Sequence, residues 1–292
     1  MKLHVLGVGT PDPREERYGS AFLFELNDPD NLIMVDCGPA ATYKMACLGI
    51  RPTQVKHLFF THHHFDHNAD VPCFALTRWD QLTNADDIPL SVYGPPPTSA
   101  FFNRLFGAEG AYRDDFVARI QHPCSELMHT NRGGVLPRTE PIFDVNEVTE
   151  GQVARTDAWR VTCLPVSHVD PWLQSVAYRF ETENGIVVFT GDAGPCNNLD
   201  TICRGADVLV LCCAFKHSAN THPLVAEVVT GSRDCARIAD ESGARVVVLT
   251  HSNRAVAAPG NREAACAEIG RRFNGALFFG EEKTTVDLSK WL

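Results

Sequence analysis

The segment that most constrains this chain is Thr61-His62-His63-His64-Phe65-Asp66-His67, which follows an apolar strand predicted at 55–60. It contains the pattern His-x-His-x-Asp-His, so four side chains that can bind a metal lie within a few residues. They cannot all lie on one face of a strand or a helix, but a loop at a strand end can direct them towards two neighbouring cations. Neutral imidazoles and a carboxylate suit zinc, and also iron or manganese. The segment therefore predicts a metal centre rather than an ordinary solvated loop.

Three later apolar strands are each followed by another side chain that can bind a metal. These side chains are His168, Asp192 and His251, after strands predicted to end near residues 164, 189 and 249. A single case would mean little, because a buried histidine or a turn aspartate would explain it equally well. Together with the first segment, the three cases complete a set of seven ligands. Such a set suits two-metal hydrolysis, in which a carboxylate bridges the cations and the cations share a hydroxide.

Short apolar strands separated by turn residues dominate the rest of the chain. Strands are predicted at 21–26, 32–35, 55–60, 90–93, 159–164, 175–181, 186–190, 208–212, 245–250 and 284–288. Helices are predicted at 40–48, 99–106, 114–120, 232–242 and 264–273. Clusters of strands with helices outside them indicate an α/β (α+β) fold built on two sheets.

Residues 98–149 form the least regular part of the sequence. We interpret them as an insertion, or lid, near the metal site, because long irregular segments of compact enzymes commonly bind or cover the substrate. The whole chain, 1–292, is expected to form a single domain, which is a common size for an α/β enzyme.

The composition restricts the partners and the location. The formal net charge is −10 at pH 7, which repels polyphosphate backbones unless a basic patch or bound cations offset it. The 11 cysteines include no Cys-x-x-Cys pair, and single cysteines of this kind are typical of small core residues in a reducing compartment. No apolar run approaches the length of a membrane span. We therefore expect a cytoplasmic protein that does not span a membrane and does not take nucleic acid as its partner.

The ordered set of metal-capable residues resembles the metallo-β-lactamase superfamily. The matched residues are, in the order of the family, His62, His64, Asp66, His67, His168, Asp192 and His251. Within the superfamily the chain looks most like the branch that holds the tRNA 3′-processing endonucleases (RNase Z), arylsulfatases and related phosphodiesterases. This closer resemblance rests on Gly7-Val8-Gly9-Thr10-Pro11, Phe189-Thr190-Gly191-Asp192 and Leu249-Thr250-His251-Ser252-Asn253-Arg254.

The resemblance implies a four-layer αββα sandwich with the site at one edge of the sheets. It also implies two divalent metal ions, with zinc expected and manganese or iron as alternatives. The implied ligands are His62, His64 and His168 for one ion, Asp66, His67 and His251 for the other, and Asp192 as the bridge. A water between the ions would be the nucleophile, and Asp66 could also orient it. Asp36 could fix the orientation of an imidazole, or it could simply cap the turn at Gly38.

The chain also departs from the RNase Z pattern. Those enzymes usually carry His-Glu-Ala-Thr after the strand that follows the bridging aspartate, whereas this chain has Leu211-Cys212-Cys213-Ala214-Phe215-Lys216-His217. The stretch between Asp192 and His251 also leaves no room for the arm with which RNase Z grips tRNA. His217 could be a general acid that protonates a leaving group, or a surface histidine. Cys212 and Cys213 end a buried strand, which favours core packing over a reactive role.

These observations predict a metal-dependent hydrolase of a small-molecule ester, with a phosphodiester or a related anionic ester as the leading prediction. The alternatives within the same chemistry are a lactonase, a thioesterase or a β-lactamase acting on a carbonyl, since the same hydroxide serves both reactions. A further alternative is an RNase Z-like RNA-processing nuclease. A binding protein that has lost catalysis is disfavoured, because buried metal-capable side chains without a metal would be costly. The oligomeric state is left open, with a homodimer as one alternative.

Overall fold

Two seven-stranded mixed sheets form the centre of the molecule. A computed structural model describes residues 1–83, 89–218 and 221–292. The first sheet contains β1 (Lys2–Val8), β2 (Ser20–Glu25), β3 (Leu32–Cys37), β4 (Val55–Phe59), β5 (Leu90–Gly94), β6 (Phe143–Glu147) and β14 (Thr284–Asp287), in the spatial order β14-β1-β2-β3-β4-β5-β6. The second contains β7 (Gly151–Arg155), β8 (Trp159–Pro165), β9 (Val176–Thr182), β10 (Gly185–Phe189), β11 (Val208–Cys212), β12 (Val246–Thr250) and β13 (Ala276–Phe279), in the order β13-β12-β11-β10-β9-β8-β7.

The main apolar core lies between the two sheets. Strand β11 illustrates how the sequence builds it, because successive side chains of a strand point to opposite faces. Val208 and Val210 belong to the core between the sheets, whereas Leu209 and Leu211 pack on the outer face. Aromatic rings from both sheets interlock in this core, and the Phe59 ring meets that of Phe180 edge-on with 5.2 Å between centroids.

Helices cover the outer face of each sheet. They are α1 (Ala41–Cys47), α2 (Phe65–Asn68), α3 (Val71–Gln81), α4 (Thr98–Phe106), α5 (Arg113–Gln121), α6 (Pro123–Asn131), α7 (Asn197–Cys203), α8 (Pro223–Val228), α9 (Ser232–Ser242), α10 (Arg254–Ala257) and α11 (Asn261–Ile269), with short 3-10 turns at Pro52–Gln54 and Leu288–Lys290. Apolar residues of α1, α3 and α4 pack on the first sheet, and those of α7, α9 and α11 pack on the second. The predicted αββα sandwich is therefore confirmed.

Parallel pairing decides where the loops of the sheets meet. Strands β3, β4 and β5 run parallel to one another, as do β10, β11, β12 and β13. In parallel strands the carboxyl ends lie at the same edge of the sheet, and ligand sites of α/β proteins commonly form there. The loop after each of these strands is therefore placed to contribute to one common site.

The segment predicted as an insertion, 98–149, is more ordered than its sequence indicates. It contains α4, α5 and α6, and it ends in β6, which pairs in parallel with β5. Residues 143–147 are an edge strand of the first sheet, and the role of the segment as an insertion or lid stays a prediction. The helices predicted at 99–106 and 114–120 agree with α4 and α5 within a residue at each end, whereas α6 was not predicted. None of the helices in the described part of the chain has the length and apolar character needed to cross a membrane.

A buried ion pair fixes the loop that follows β1. Lys44 Nζ lies 2.8 Å from Glu282 Oε2, and both side chains are buried. Glu282 also accepts a hydrogen bond from the backbone N–H of Tyr18 at 2.6 Å. Lys44 donates to the carbonyl of Tyr18 at 3.0 Å. These contacts hold the loop against the end of β1.

We expect Lys44→Met to lower the free energy of unfolding by about 3–5 kcal/mol, because Glu282 is left as a buried charge without its cation. The matched control is Lys2→Met, which breaks the exposed pair of Lys2 with Glu25 and should cost less than about 1 kcal/mol. Urea denaturation of both variants measures the difference. Equal losses in the two variants would contradict this account.

Candidate metal centre

Loops from both sheets bring the seven predicted ligands together at one edge of the sandwich. The first sheet supplies His62, His64, Asp66 and His67 after β4, and the second supplies His168 after β8, Asp192 after β10 and His251 after β12. Six of the seven are buried, and only His64 is partly exposed. Their ligand atoms form two adjacent groups, each with all members within 4.8 Å of one another: His62, His64, His168 and Asp192 in the first, and Asp66, His67 and His251 in the second.

In the first group, three imidazole nitrogens converge on a single point. Nε2 of His62 lies 3.0 Å from Nδ1 of His64, and Nε2 of His168 lies 3.2 Å from the same atom. A ring nitrogen either donates one hydrogen or accepts one, so the three cannot all satisfy one another. Nitrogens bound to a tetrahedral zinc ion lie about 3.3 Å apart. The spacing of the three rings therefore fits a cation at their centre.

Asp192 lies between the two groups. Its Oδ2 atom is 3.9 Å from Nε2 of His62 and 3.8 Å from Nε2 of His168 in the first group. In the second group it is 3.6 Å from Nε2 of His67 and 3.0 Å from Nε2 of His251. One carboxylate oxygen thus faces imidazoles of both groups, which is the position that a bridging ligand needs.

Several buried polar atoms of the centre have no hydrogen-bond partner among the described residues. They are Oδ1 of Asp66, Nε2 of His67, Oδ1 of Asp192 and Nδ1 of His251. Buried polar atoms are normally satisfied, and an exception calls for an explanation such as an ion. Metal ions bound by this donor set of imidazoles and carboxylates would satisfy most of these atoms at once. The residues present therefore fit divalent metal ions.

The pKa shifts in and beside the second group also fit the binding of divalent metal ions. Burial alone would lower the pKa of His67, but the carboxylates of Asp36 and Asp192 outweigh it and raise that pKa to about 10. Burial would likewise lower the pKa of His251, but the carboxylates of Asp192 and Asp66 outweigh it and raise that pKa well above its ordinary value. Burial would raise the pKa of Asp192, but His251 and His67 lower it well below its ordinary range. Protons on two imidazoles thus balance the carboxylates, and divalent cations binding there would replace those protons.

Comparison with known proteins decides the family. The model of a family described as a beta-lactamase superfamily domain matches residues 31–252 of the chain. The ribonuclease Z of Mycobacterium sp. (strain KMS) is 30% identical over 293 residues, which cover 99% of this chain and 96% of the relative.

The chain belongs to the metallo-β-lactamase superfamily, in its ribonuclease Z-like branch. It is a metal-dependent hydrolase of that superfamily. Solved structures agree on the fold. The metallo-beta-lactamase fold protein YhfI from Bacillus subtilis superposes with a TM-score of 0.74 at 20% identity, over 98% of each chain. The short form of human tRNase Z superposes with a TM-score of 0.70 at 17% identity, over 98% of this chain and 99% of that one.

Asp36 fixes the orientation of two imidazoles from the side of the rings that faces away from the centre. Nδ1 of His67 donates to Oδ2 of Asp36 at 2.7 Å, which leaves Nε2 facing the centre. The hydroxyl of Thr61 donates to Oδ2 of the same carboxylate at 2.9 Å and lies 3.1 Å from Nδ1 of His62. Asp36 therefore fixes one ring directly and another through Thr61. Of the two roles considered for Asp36, the orientation of imidazoles is the one that these contacts support.

A second orienting contact comes from α8. Nδ1 of His168 donates to the carbonyl of Val228 at 2.8 Å, so Nε2 of that ring also faces the centre. Hydrogen bonds of this kind fix the tautomer of a metal-binding histidine and raise its basicity. The sequence carries no pattern that predicts a backbone carbonyl in this role.

The backbone at the centre adopts conformations that are uncommon for its residues. Asp36 and His251 have positive φ angles of 57° and 51°. Side chains other than glycine occupy this region only when their surroundings hold them there, and such residues cluster at functional sites. Gly191 has a φ angle of 57°, and a Cβ atom on it would lie 2.6 Å from Cβ of Thr61. Only glycine therefore fits the turn that delivers Asp192.

The other histidines named from the sequence lie outside the two groups. Nδ1 of His217 accepts a hydrogen bond from the N–H of Arg233 at 3.1 Å, and its Nε2 lies 3.5 Å from Asp234. His217 is thus engaged at the start of α9, and its role as a general acid stays a prediction that none of these contacts supports. His63, which lies between two of the candidate ligands in the sequence, points away from the centre, with Nε2 2.8 Å from the hydroxyl of Thr98.

Cys212 is the neighbour of the centre that the sequence did not identify. Its side chain is fully buried, and its sulfur lies within 4.8 Å of ligand atoms of Asp192 and His251. The pattern of β11 carries a signal for this position. Side chains at 208 and 210 face the space between the sheets, so the side chain at 212 follows them to the same face at the end of the strand.

We expect Asp36→Asn to weaken metal binding about 10- to 100-fold, because the loss of this carboxylate disturbs the tautomers of His67 and His62. Titration of metal-free protein with zinc, in competition with a chromophoric chelator, measures the change. Asp70→Asn is the control, since Asp70 binds Thr42 rather than the centre. Unchanged affinity in Asp36→Asn would show that Asp36 only supports the turn.

Proposed function

We propose that the protein hydrolyses a small phosphodiester, or a related anionic ester, at a pair of divalent metal ions with zinc as the expected metal. The observation that carries this proposal is the position of Asp192 Oδ2, between 3.0 and 3.9 Å from imidazole nitrogens of both groups. Membership of a family of metal-dependent hydrolases supports it.

The proposed ligands divide between the two ions as the two groups divide. His62, His64 and His168 would hold the first ion, Asp66, His67 and His251 the second, and Asp192 would bridge them. When bound, the two ions supply positive charge for the reacting ester and lower the pKa of a water between them. A phosphodiester suits such a pair, because its negative charge increases as the displacement proceeds.

Asp66 has the geometry to position the attacking water. Its Oδ2 lies 3.3 Å from Nε2 of His251, whereas its Oδ1 is buried and has no hydrogen-bond partner among the described residues. Burial would raise the pKa of Asp66, but the hydrogen bond from His251 and the charge of His67 lower it. The ionised Oδ1 can therefore accept a hydrogen from water and fix its direction of attack.

Two exposed aromatic side chains lie close to candidate ligands in the sequence, and they support a substrate with an apolar or planar group. Phe65 follows the ligand His64 directly and is 53% exposed. Trp172 lies in a turn closed by its N–H bonding to the carbonyl of Val169, just after the ligand His168, and it is 89% exposed. Aromatic rings in such positions can hold a planar part of a substrate while the ester lies at the ions.

An activity panel tests the proposal. Zinc-loaded protein should cleave bis(p-nitrophenyl) phosphate in preference to p-nitrophenyl sulfate, simple lactones and nitrocefin. Chelation should abolish the activity, and zinc should restore it. Asp192→Asn should lower kcat/KM by about 10³-fold, corresponding to about 4 kcal/mol of lost stabilisation, with loss of bound metal by elemental analysis. Clear lactone opening without cleavage of either the phosphate or the sulfate ester would overturn the choice of substrate.

The contribution of the exposed rings is tested by Trp172→Ala. We expect KM for bis(p-nitrophenyl) phosphate to rise about 2- to 10-fold, which matches the roughly 0.5–1.5 kcal/mol of an aromatic contact. The value of kcat should stay close to that of the wild type. Trp291→Ala is the matched control, because Trp291 is exposed at the end of the chain and follows no ligand. A rise in KM in both variants, or in neither, would contradict a substrate contact at Trp172.

The second candidate is cleavage of RNA. It is favoured by relatives named ribonuclease Z that align with 99% of the chain, and it runs against our expectation that nucleic acid is not a partner. The net charge of −10 remains an argument against tight RNA binding. Incubation with precursor tRNA distinguishes the two candidates. Cleavage that weakens steeply with salt and exceeds that of bis(p-nitrophenyl) phosphate in kcat/KM would favour RNA.

A further inference from the structure

The end of β11 carries two adjacent cysteines that point in opposite directions. Cys213 packs in the cluster on the outer face of the second sheet, with Leu209 and Leu211. Cys212 belongs to a different cluster, with Ala214 and Phe215, and its side chain follows the inward-facing positions of the strand. The two thiols therefore have matched chemistry and burial but different surroundings.

The thiol of Cys212 lies against the second half of the metal centre. Its sulfur, a ring nitrogen of His251 and a carboxylate oxygen of Asp192 are all within 4.8 Å of one another. Oδ1 of Asp192 is buried without a hydrogen-bond partner among the described residues. All three side chains are at least nine-tenths buried. The sulfur is thus the third member of a buried donor set that contains an unsatisfied carboxylate oxygen.

The dimensions of this set suit a cation. A Zn–S bond is about 2.3 Å and a Zn–N bond about 2.0–2.1 Å, so sulfur and nitrogen on one ion are at most about 4.4 Å apart. The 4.8 Å within which the three donor atoms lie exceeds this limit by only a few tenths of an ångström. Sulfur is a soft donor that favours zinc, cobalt or cadmium over manganese or magnesium.

We propose that Cys212 supplies a sulfur donor to the cation held by His251 and Asp192, an inference that rests on the proposed metal centre. Coordination forms a bond from the thiolate to the cation, and the thiol proton passes to solvent. The mixed donor set would then favour soft cations at this position. The residue lies within the stretch in which this chain departs from the usual RNase Z sequence, so the donor would distinguish it from those enzymes.

Cobalt(II) substitution of the intact protein provides the test. Metal-free protein is loaded with cobalt, the bound metal is counted by elemental analysis, and the near-ultraviolet spectrum is recorded. The wild type and Cys213→Ser should show a sulfur-to-cobalt charge-transfer band, and Cys212→Ser should lack it. Cys212→Ser should also bind cadmium about 10- to 100-fold more weakly than the wild type, while its affinity for manganese stays unchanged.

Each outcome separates this proposal from the function on which it rests. Two bound cobalt ions with no charge-transfer band in the wild type, or with an equal band in Cys212→Ser, would overturn the sulfur donor and leave the two-metal centre intact. Wild-type protein that binds no cobalt and no zinc would overturn both. If Cys212→Ser does not fold, X-ray absorption of the zinc-loaded wild type decides the matter. A zinc–sulfur distance of about 2.3 Å would support the donor, and a shell of only nitrogen and oxygen would overturn it.

Discussion

The carboxylate of Asp192, buried among imidazoles that reach it from both sheets, is the interaction on which the rest of this centre depends. A buried charge is costly unless it is paired, and a buried imidazole with no partner is costly too. Here the two costs cancel only because β4, β8, β10 and β12 end at one edge of the sandwich. The parallel pairing within each sheet and the core between the sheets are therefore prerequisites of the chemistry.

The same constraint explains the uncommon backbone around the centre. Asp36 and His251 hold left-handed conformations, and Gly191 turns so closely past Thr61 that no side chain fits there. Conformations of this kind persist only when neighbouring contacts hold them. In this protein the contacts include the hydrogen bonds from Thr61 and His67 to Asp36. The hydrogen bonds to Asp36 and the left-handed turns thus support each other. A change in either should weaken metal binding more than it lowers the stability of the fold.

The grouping of the seven candidate ligands could be predicted from the sequence because each lies shortly after an apolar strand. The strand pattern and the ligand lie within a few residues, so local information was enough. Features that depend on which strands lie side by side in the sheet could not be predicted in the same way. The role of Asp36 depends on β3 lying beside β4, and the sequence left two roles open for it.

The unpredicted elements have a physical reason as well. Helix α6 buries only His129, so it carries no apolar stripe that would reveal it. Strand β6 is an edge strand with no buried residue, and nothing in its sequence separated it from the predicted insertion. Cys212 was interpreted as a core residue because its strand is apolar. Its neighbours in space, Asp192 and His251, are about 20 and 40 residues away in the sequence.

The division between buried and exposed residues suggests how this family member could acquire its own substrate. Six of the seven candidate ligands are buried, as is Asp36 behind them, so the proposed chemistry tolerates little change there. Phe65, directly after the candidate ligand His64, and Trp172, four residues after the candidate ligand His168, are exposed. Helix α8 has no buried side chain, yet its last residue binds the ligand His168. Substitutions on these exposed surfaces can alter what approaches the ions without altering the ions themselves. Relatives named ribonuclease Z and a chain with a net charge of −10 are therefore compatible within one fold, because the exposed surface can change without a change at the buried centre.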